Sequence, residues 1–261
     1  MSDLRVALVQ SDIIPDDSAA NLTAFAALLA AQCNTPLDLI VLPEVFTTGF
    51  HPRARQHAET EAGPVSQWLA QQAQRYRAVV TGSVVFDSGS AHYNRLLWAA
   101  PGQPLQHYDK RHLFRMAGEH ERYCAGQRRQ ICTVGPWRVL LQVCYDLRFP
   151  VFSRNRDDYD VALYVANWPA ARHDHWSCLL KARAIENQVY VIGVNRIGRD
   201  VYGQEYAGGS VVYSPRGELL ADAAAVPTAL SVNLSAAHLR RYRAEFPAHL
   251  DGDDFNVQLD P

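Results

Sequence analysis

The chain has 261 residues, of which 48% are hydrophobic and 20% are charged, enough apolar material for one large folded domain. Lysine and arginine total 25 against 27 aspartate and glutamate, which gives a formal net charge of -2. This balance disfavours a nucleic-acid-binding protein, because such proteins carry a basic surplus for the phosphate backbone.

Apolar segments of strand length alternate with helical patterns, which is typical of a layered α/β fold. The first half predicts strands at 5–10, 38–42, 79–86, 93–100 and 106–110, helices at 18–31 and 63–76, and an ordered loop at 118–129. The second half predicts strands at 137–144, 161–166, 190–195, 209–213, 218–221 and 230–234, helices at 150–156 and 176–187, and a final short helix before a tail rich in Asp and Pro. Since no linker or repeat interrupts this pattern, we expect one domain over residues 1–261.

The cellular location is indicated by the N-terminus and the cysteines. The first residues, MSDLRVALVQSD, lack the basic and apolar regions of a signal peptide, and no apolar run is long enough to span a membrane. Five cysteines at irregular spacings, with no CxxC pair, favour free thiols over disulfides or structural zinc. We therefore expect a cytoplasmic protein that does not bind membranes.

Three reactive side chains stand at the ends of predicted strands. Glu44 follows LIVLP, Lys110 ends LQHYDK and Cys144 follows VLLQV. In α/β sheets the carboxyl ends of strands meet at an edge where ligands bind. The pattern therefore predicts a cleft that contains a carboxylate, an ammonium group and a thiol.

This trio suits amide hydrolysis through a cysteine. A free thiol is only slightly ionised at neutral pH, so a carboxylate that takes its proton assists attack on a carbonyl. A lysine and a backbone N–H can stabilise the resulting oxyanion, and the same carboxylate can carry protons to ammonia and from water. Each residue alone also has a structural alternative: Cys144 as core packing, Glu44 as a cap or ion pair, and Lys110 as a surface charge.

Three ordered segments, LPEVFTTGF, YDKRHLF and QVCYDLRFP, resemble the Glu, Lys and Cys motifs of the nitrilase (carbon–nitrogen hydrolase) superfamily. The similarity continues through NWPAARHDHW and KARAIENQVYVIGVNRIG to GGSVVYSPRGE, and so covers nearly the whole chain. The resemblance implies a four-layer α-β-β-α sandwich of the nitrilase type, which often dimerises through its sandwich face, and we expect a homodimer.

By the same resemblance, Glu44 is the general base, Lys110 the cation that stabilises the oxyanion, and Cys144 the nucleophile. Tyr145, the next residue, is expected to donate its backbone N–H to the oxyanion.

Members of the superfamily commonly have a second active-site glutamate in the loop after the lysine strand. The segment GEHERYCAG offers Glu119 and Glu121, and the spacing to Gly126 favours Glu119. This residue is expected to hold Lys110 and the substrate amide, with Glu121 as the alternative.

The residues after the nucleophile narrow the substrate class. True nitrilases resemble Cys-Trp-Glu at this point, whereas this chain has Cys-Tyr-Asp, which favours amides over nitriles. The combination TTGF, DKRHLFRMAGEH and CYDLRFP most resembles the bacterial omega-amidases, which hydrolyse the distal amide of 2-oxoglutaramate and related dicarboxylate monoamides and release ammonia. The alternatives are another amidase or carbamoylase of the superfamily, or a non-catalytic binding protein on this fold. A papain-like Cys/His hydrolase is disfavoured, because nothing marks one of the ten histidines as a partner of the cysteine.

Such a substrate carries a carboxylate far from its amide, which requires a cationic partner. Arg148 is the first candidate, because a guanidinium can grip a carboxylate with two hydrogen bonds; its alternative is a salt bridge with Asp146. Arg115 is the second candidate. Phe46 and Trp168 are expected to line the pocket, with core packing and rim packing as their respective alternatives.

No cofactor or metal is expected. His173-Asp174-His175 has metal-capable side chains, but adjacent ligands point apart and no third ligand stands at motif spacing.

Overall fold

The computed structural model describes residues 2–253 and 255–257, so part of the Asp- and Pro-rich tail lies outside the described residues. The strands are β1 (Leu4–Gln10), β2 (Leu39–Val41), β3 (Val79–Asp87), β4 (His92–Ala99), β5 (Gln106–Asp109), β6 (Ile131–Val134), β7 (Trp137–Val143), β8 (Val161–Ala166), β9 (Tyr190–Asn195), β10 (Ile197–Arg199), β11 (Glu205–Ala207), β12 (Val211–Tyr213), β13 (Leu219–Asp222) and β14 (Thr228–Leu234). The α-helices are α1 (Ser18–Gln32), α2 (Pro64–Tyr76), α3 (Pro150–Ser153), α4 (His173–Asn187) and α5 (Ala236–Glu245).

Two mixed sheets of six strands each form the centre of the fold. Their strand orders are β14-β1-β2-β3-β4-β5 and β13-β12-β9-β8-β7-β6. In the first sheet β1, β2 and β3 run parallel, and in the second β7, β8 and β9 do so. The remaining neighbours pair antiparallel, and the consecutive strands among them form the hairpins β3–β4, β4–β5, β6–β7 and β12–β13.

The alternation of side chains along β1 shows how the layers pack. Val6 and Leu8 belong to a buried cluster that also contains Val139 and Leu163 of the second sheet. Ala7 and Val9 point the other way, into a cluster with side chains of α1 and α2. The outer face of the second sheet packs on Trp176, Leu180 and Ala184 of α4. The layers are therefore helix, sheet, sheet and helix, as the resemblance predicts.

The differences from the predicted elements are local. The sequence does not predict β6 or the β10–β11 hairpin, because both are short and half-exposed and have no continuous apolar run. Helix α4 begins at His173 rather than 176, since its polar first turn gives no apolar signal. The predicted strand at 209–213 begins at Val211, because Gly209 has a φ of 71° and cannot join the ladder.

The loop predicted at 118–129 contains a short 3-10 helix, Glu119–Glu121, and the helix predicted at 150–156 ends at Ser153. None of the helices in the described ranges has the length and apolar character that a membrane span requires.

Candidate active site

The three reactive side chains at strand ends line one cavity of about 340 Å³. Lys110 directly follows β5 and Cys144 directly follows β7, while Glu44 stands three residues after β2. The two sheets of the sandwich thus bring a carboxylate, an ammonium group and a thiol together, as the strand-end pattern predicts.

Lys110 is the centre of a buried ionic cluster. Its Nζ donates to Glu44 Oε1 at 2.9 Å and to Glu119 Oε1 and Oε2 at 3.0 and 2.9 Å. None of the three side chains is more than 1% exposed. Burial by itself lowers the pKa of Lys110, but attraction to Glu119 and Glu44 outweighs it and raises this pKa well above its ordinary value. The ammonium therefore stays charged.

Glu119, rather than Glu121, belongs to this cluster. Its Oε2 also accepts a hydrogen bond from the backbone N–H of Phe114 at 2.6 Å. Burial raises the pKa of Glu119, an effect that Lys110 opposes and Glu44 reinforces. The Glu121 side chain is 73% exposed and lies near His120 only at 3.8 Å.

Two asparagines that the sequence does not predict hold Glu44 in place. Asn94 of β4 is fully buried, and its Nδ2 donates to Glu44 Oε1 at 2.7 Å and to Glu119 Oε1 at 3.3 Å. Asn167 follows β8; its backbone N donates to Glu44 Oε2 at 2.7 Å, and its Nδ2 donates to the Glu44 carbonyl at 2.6 Å. Asn167 follows the strand-end rule and could have been found by it, whereas Asn94 lies within a strand and carries no such signal.

Cys144 occupies a strained turn at the end of β7. Its φ is 45°, in the left-handed region that a non-glycine residue rarely adopts, and it begins the 3-10 helix Cys144–Arg148. The thiol shares the cavity with the Glu44 carboxylate, which acts on its ionisation. Burial and the charge of Glu44 raise the pKa of the Cys144 thiol well above its ordinary value, although Lys110 acts in the opposite direction. The resting group is thus a thiol, and a base must take its proton.

His51 also lines the cavity, but its Nε2 lies 2.8 Å from Asp16 Oδ1. The side chains that act on the pKa of the Cys144 thiol are Glu44, Lys110 and Glu119, and no histidine is among them. This arrangement differs from the Cys/His pair of papain-like hydrolases.

Replacing Glu44 by glutamine is expected to shift the reaction of Cys144 with a neutral thiol reagent to lower pH. The Glu44 charge raises the pKa of this thiol, so its removal lowers that pKa. Labelling with methyl methanethiosulfonate between roughly pH 6 and pH 10, with peptide mass spectrometry, measures the profile. The exposed Cys124 of the same protein is the control and should not shift. An unchanged or upward-shifted Cys144 profile would argue against this effect of Glu44.

The structure places Arg148 and Trp168 in the cavity wall, with the Arg148 guanidinium 4.8 Å from the centroid of the Trp168 ring. The alternative salt bridge between Arg148 and Asp146 is absent. Asp146 is fully buried and accepts its hydrogen bonds from other donors. Arg148 Nη2 lies 3.1 Å from His175 Nδ1, and the guanidinium forms no salt bridge with any carboxylate of residues 2–253.

Two residues expected at the substrate lie elsewhere. Phe46 is fully buried between the first sheet and its helices, packed edge-to-face on Phe25 at 5.6 Å, because the chain turns at Val45 with a φ of 38°. Phe50 lines the cavity instead. Arg115 is exposed in a 3-10 helix and does not line the cavity.

Two further arginines that the sequence does not predict line the cavity. Arg172 ends a 3-10 helix before α4, and its guanidinium lies 5.6 Å from the centroid of the Phe114 ring. The Nη2 of Arg122 donates a hydrogen bond to the carbonyl of Ala117 at 2.7 Å, and both residues line the cavity. Tyr145, next to the nucleophile, also lines the wall and packs against Phe114 at 5.0 Å between ring centroids.

Comparison with known proteins identifies relatives along the whole chain. The family model for carbon–nitrogen hydrolases matches residues 5–244. The omega-amidase YafV of Yersinia enterocolitica is 49% identical over 258 residues, which cover 98% of this chain and 99% of the relative. The 2-oxoglutaramate amidase of Bacillus subtilis (strain 168) is 36% identical over 190 residues, which cover 71% of this chain and 73% of the relative.

A solved structure extends the likeness to three dimensions. XC1258 from Xanthomonas campestris, a CN-hydrolase superfamily protein with an arsenic adduct in its active site, superimposes with a TM-score of 0.96. It is 46% identical, and the match covers 99% of this chain and 100% of the other. The predicted superfamily and its sandwich fold are confirmed. The chain therefore belongs to the carbon–nitrogen hydrolase family and is a hydrolase that acts on C–N bonds.

Proposed function

We propose that this enzyme is an omega-amidase, which hydrolyses the distal amide of a small dicarboxylate monoamide such as 2-oxoglutaramate and releases ammonia. One observation supports this proposal most strongly. A single cavity combines the Glu44–Lys110–Cys144 group with arginines that have no carboxylate partner in residues 2–253. The likeness to the two amidases named above supports the same assignment.

The first half of the reaction forms a thioester. Glu44 takes the thiol proton as Cys144 Sγ attacks the amide carbon, because the raised pKa of the thiol prevents a stable thiolate beforehand. The oxyanion that forms is stabilised by the Lys110 ammonium and the backbone N–H of Tyr145. Glu44 then returns its proton to the amide nitrogen, the C–N bond breaks, and ammonia leaves.

The second half of the reaction regenerates the thiol. Glu44 takes a proton from water as the water oxygen attacks the thioester carbon, and the same donors stabilise the second oxyanion. The C–S bond breaks, the sulfur recovers the proton from Glu44, and the free acid leaves. Glu119 keeps Lys110 in place through both of its oxygens and is proposed to accept from the substrate amide N–H.

The charges of the cavity favour an anionic substrate. Its lining includes the cations Lys110, Arg122, Arg148 and Arg172, against the carboxylates Glu44 and Asp200. The Asp200 oxygens are already used inside the β10–β11 turn, where they accept from Tyr202 N, Gln204 N and Tyr206 OH. We assign the distal carboxylate of the substrate first to Arg148, with Arg172 as the alternative, because Arg122 already donates to the Ala117 carbonyl.

Arg148→Met is expected to raise KM for 2-oxoglutaramate by roughly 10- to 100-fold, the loss of about 1.5–3 kcal/mol that a hydrogen bond to a charged group contributes. For a neutral linear amide of similar length, such as butyramide, KM should change little, because that substrate has no carboxylate. Ammonia release measured with both substrates gives the comparison.

Arg115→Met is the matched control, since Arg115 is exposed and outside the cavity. It should leave KM for both substrates unchanged. An equal rise in KM for the anionic and the neutral amide in Arg148→Met would contradict the assignment of Arg148. A wild-type enzyme that prefers the neutral amide would contradict the omega-amidase proposal itself.

We also propose that the protein works as a cytoplasmic homodimer with residues 1–261 as one domain. Free thiols at Cys33, Cys124, Cys132, Cys144 and Cys178 suit a reducing compartment. Light scattering of the purified protein tests the dimer, and a mass that matches one chain would reject it.

A further inference from the structure

Asp146 is a buried carboxylate near the nucleophile that the proposed reaction does not use. Its side chain is fully buried, and it stands two residues after Cys144 in the same 3-10 helix. Its oxygens accept four hydrogen bonds: Oδ1 from His112 N at 2.9 Å and His112 Nδ1 at 2.8 Å, and Oδ2 from Tyr108 OH at 2.8 Å and Val143 N at 2.9 Å. Each oxygen of this carboxylate thus accepts two hydrogen bonds, which indicates that Asp146 holds the surrounding segments in place.

One pair of bonds closes the turn that carries the nucleophile. The bond from Val143 N to Asp146 spans Cys144, and Phe149 N donates to the Asp146 carbonyl at 3.0 Å. A non-glycine residue in the left-handed region is strained and persists only when its surroundings fix it. Asp146 supplies that constraint for Cys144, whose φ is 45°.

The other bonds join this turn to the segment around Lys110, at the end of β5. Tyr108 and His112 flank Lys110 by two residues on either side, and both donate to Asp146. The Tyr108 hydroxyl in turn accepts from Arg111 N at 3.1 Å. The His112 ring is stacked on Phe149 at 4.0 Å with an interplanar angle of 7°, so its direction is fixed as well.

We propose that Asp146 is a positioning residue that sets the placement of the Cys144 sulfur relative to the Lys110 ammonium. This role rests on the proposed cysteine–lysine mechanism, because it acts through those two groups and not on the substrate. The Asp146 carboxylate is hydrogen-bonded both to the turn of Cys144 and to the segment around Lys110. The nucleophile and the oxyanion-stabilising cation therefore keep their separation through both halves of the reaction.

The task requires a carboxylate rather than an amide. Each Asp146 oxygen accepts from one backbone N–H, Val143 N on one side and His112 N on the other. An asparagine would turn an NH₂ group towards one of these donors whichever way it is flipped, and a backbone N–H cannot reverse its role. Asp146→Asn therefore breaks one side of the link while keeping the shape of the side chain.

Asp146→Asn is expected to lower kcat for amide hydrolysis by roughly 100-fold while KM changes less than about threefold, because ångström-scale misplacement of reacting groups affects the chemical step. Labelling of Cys144 by chloroacetamide, relative to Cys124 in the same protein, should fall by about tenfold. The labelling needs no natural substrate, so it still tests Asp146 if the enzyme proves not to be an omega-amidase.

Asp160→Asn is the matched control. Asp160 is a buried carboxylate just before β8 that binds Arg138 and Arg243, away from the cavity. Asp160→Asn should lower the free energy of unfolding measured in urea, but kcat and the labelling ratio of the folded enzyme should stay unchanged. Tyr108→Phe, which removes one of the four donors, should lower kcat by roughly three- to tenfold and covers the case in which Asp146→Asn does not fold.

Three outcomes would overturn the proposal. They are a folded Asp146→Asn enzyme with wild-type kcat and labelling, a loss confined to KM, and a pattern identical to that of Asp160→Asn. If Asp146→Asn does not fold, an unchanged kcat in Tyr108→Phe overturns it as well.

Discussion

Cys144→Ala is expected to lower kcat for amide hydrolysis by about 10⁵-fold, because no other group in the site can form the thioester, and loss of a nucleophile has effects of this size in other covalent hydrolases. Cys144→Ser should also be severely impaired, since a hydroxyl is a poorer acid than a thiol and Glu44 must take its proton. Continuous measurement of ammonia release on the purified variants gives both values. The free energy of unfolding should change little, because the substitution removes a single sulfur atom at the cavity wall.

The other cysteines supply the control. Cys124 and Cys178 are exposed and outside the cavity, so their alanine variants should keep wild-type kcat. Cys144→Ala that keeps even a tenth of wild-type activity would contradict covalent catalysis at this residue.

Lys110→Met is expected to damage both stability and catalysis. Its removal leaves Glu44 and Glu119 buried without the cation to which both bind, and breaking a buried ion pair on one side costs about 3–5 kcal/mol. Loss of a charged donor to the oxyanion should lower kcat by roughly 10³-fold. Urea unfolding and ammonia release measure the two effects separately.

The stability loss in Lys110→Met should also depend on pH. The pKa of Glu119 is already raised by burial, and loss of the lysine that opposes this raises it further. A carboxyl whose pKa is higher in the folded state than in the unfolded state favours folding while it is protonated, and that stability is lost as pH rises through the folded pKa. The variant should therefore be less stable at about pH 8 than at about pH 5.5 relative to wild type.

Lys110→Met/Glu119→Gln separates the two effects. Removing one of the two buried charges should restore a large part of the stability lost by Lys110→Met, but no activity, because the oxyanion still lacks its cation. Recovery of activity in the double variant would mean that Lys110 acts only as a structural counter-ion.

The strand-end rule explains why the centre of this site could be predicted. Glu44, Lys110 and Cys144 each follow a strand, and a mixed sandwich brings such ends to one place regardless of their separation along the chain. The resemblance to nitrilases added Glu119, for which local spacing was the only signal. The fold of a polar loop decides that Glu119, and not Glu121, contacts Lys110.

The substrate end of the cavity could not be predicted in the same way. Arg122 and Arg172 come from loops and 3-10 helices, where periodicity gives no direction for a side chain. Phe46 and Phe50 are equivalent in the sequence, and only the left-handed turn at Val45 decides that Phe46 enters the core while Phe50 faces the cavity. The sequence gives no signal for Asn94. A polar residue within a strand can bind backbone groups or an active-site side chain, and the sequence does not tell these two cases apart.

The long-range hydrogen bonds of Asp146 were equally hidden. From the sequence, Asp146 is a candidate salt-bridge partner of Arg148, which stands two residues later. In the structure its oxygens are taken by groups as distant as Tyr108, 38 residues earlier, which leaves the arginine free to face the cavity. Local charge spacing predicts ion pairs only where tertiary donors do not compete for the carboxylate.

The thioester on Cys144 is the central claim, and mass spectrometry of the quenched enzyme tests it most directly. Wild-type protein mixed with 2-oxoglutaramate and acid-quenched during turnover should gain the mass of the substrate less ammonia, located on the peptide that contains Cys144, and Cys144→Ala should gain nothing. Steady ammonia release with an adduct on another residue, or with undiminished turnover in Cys144→Ala, would contradict it.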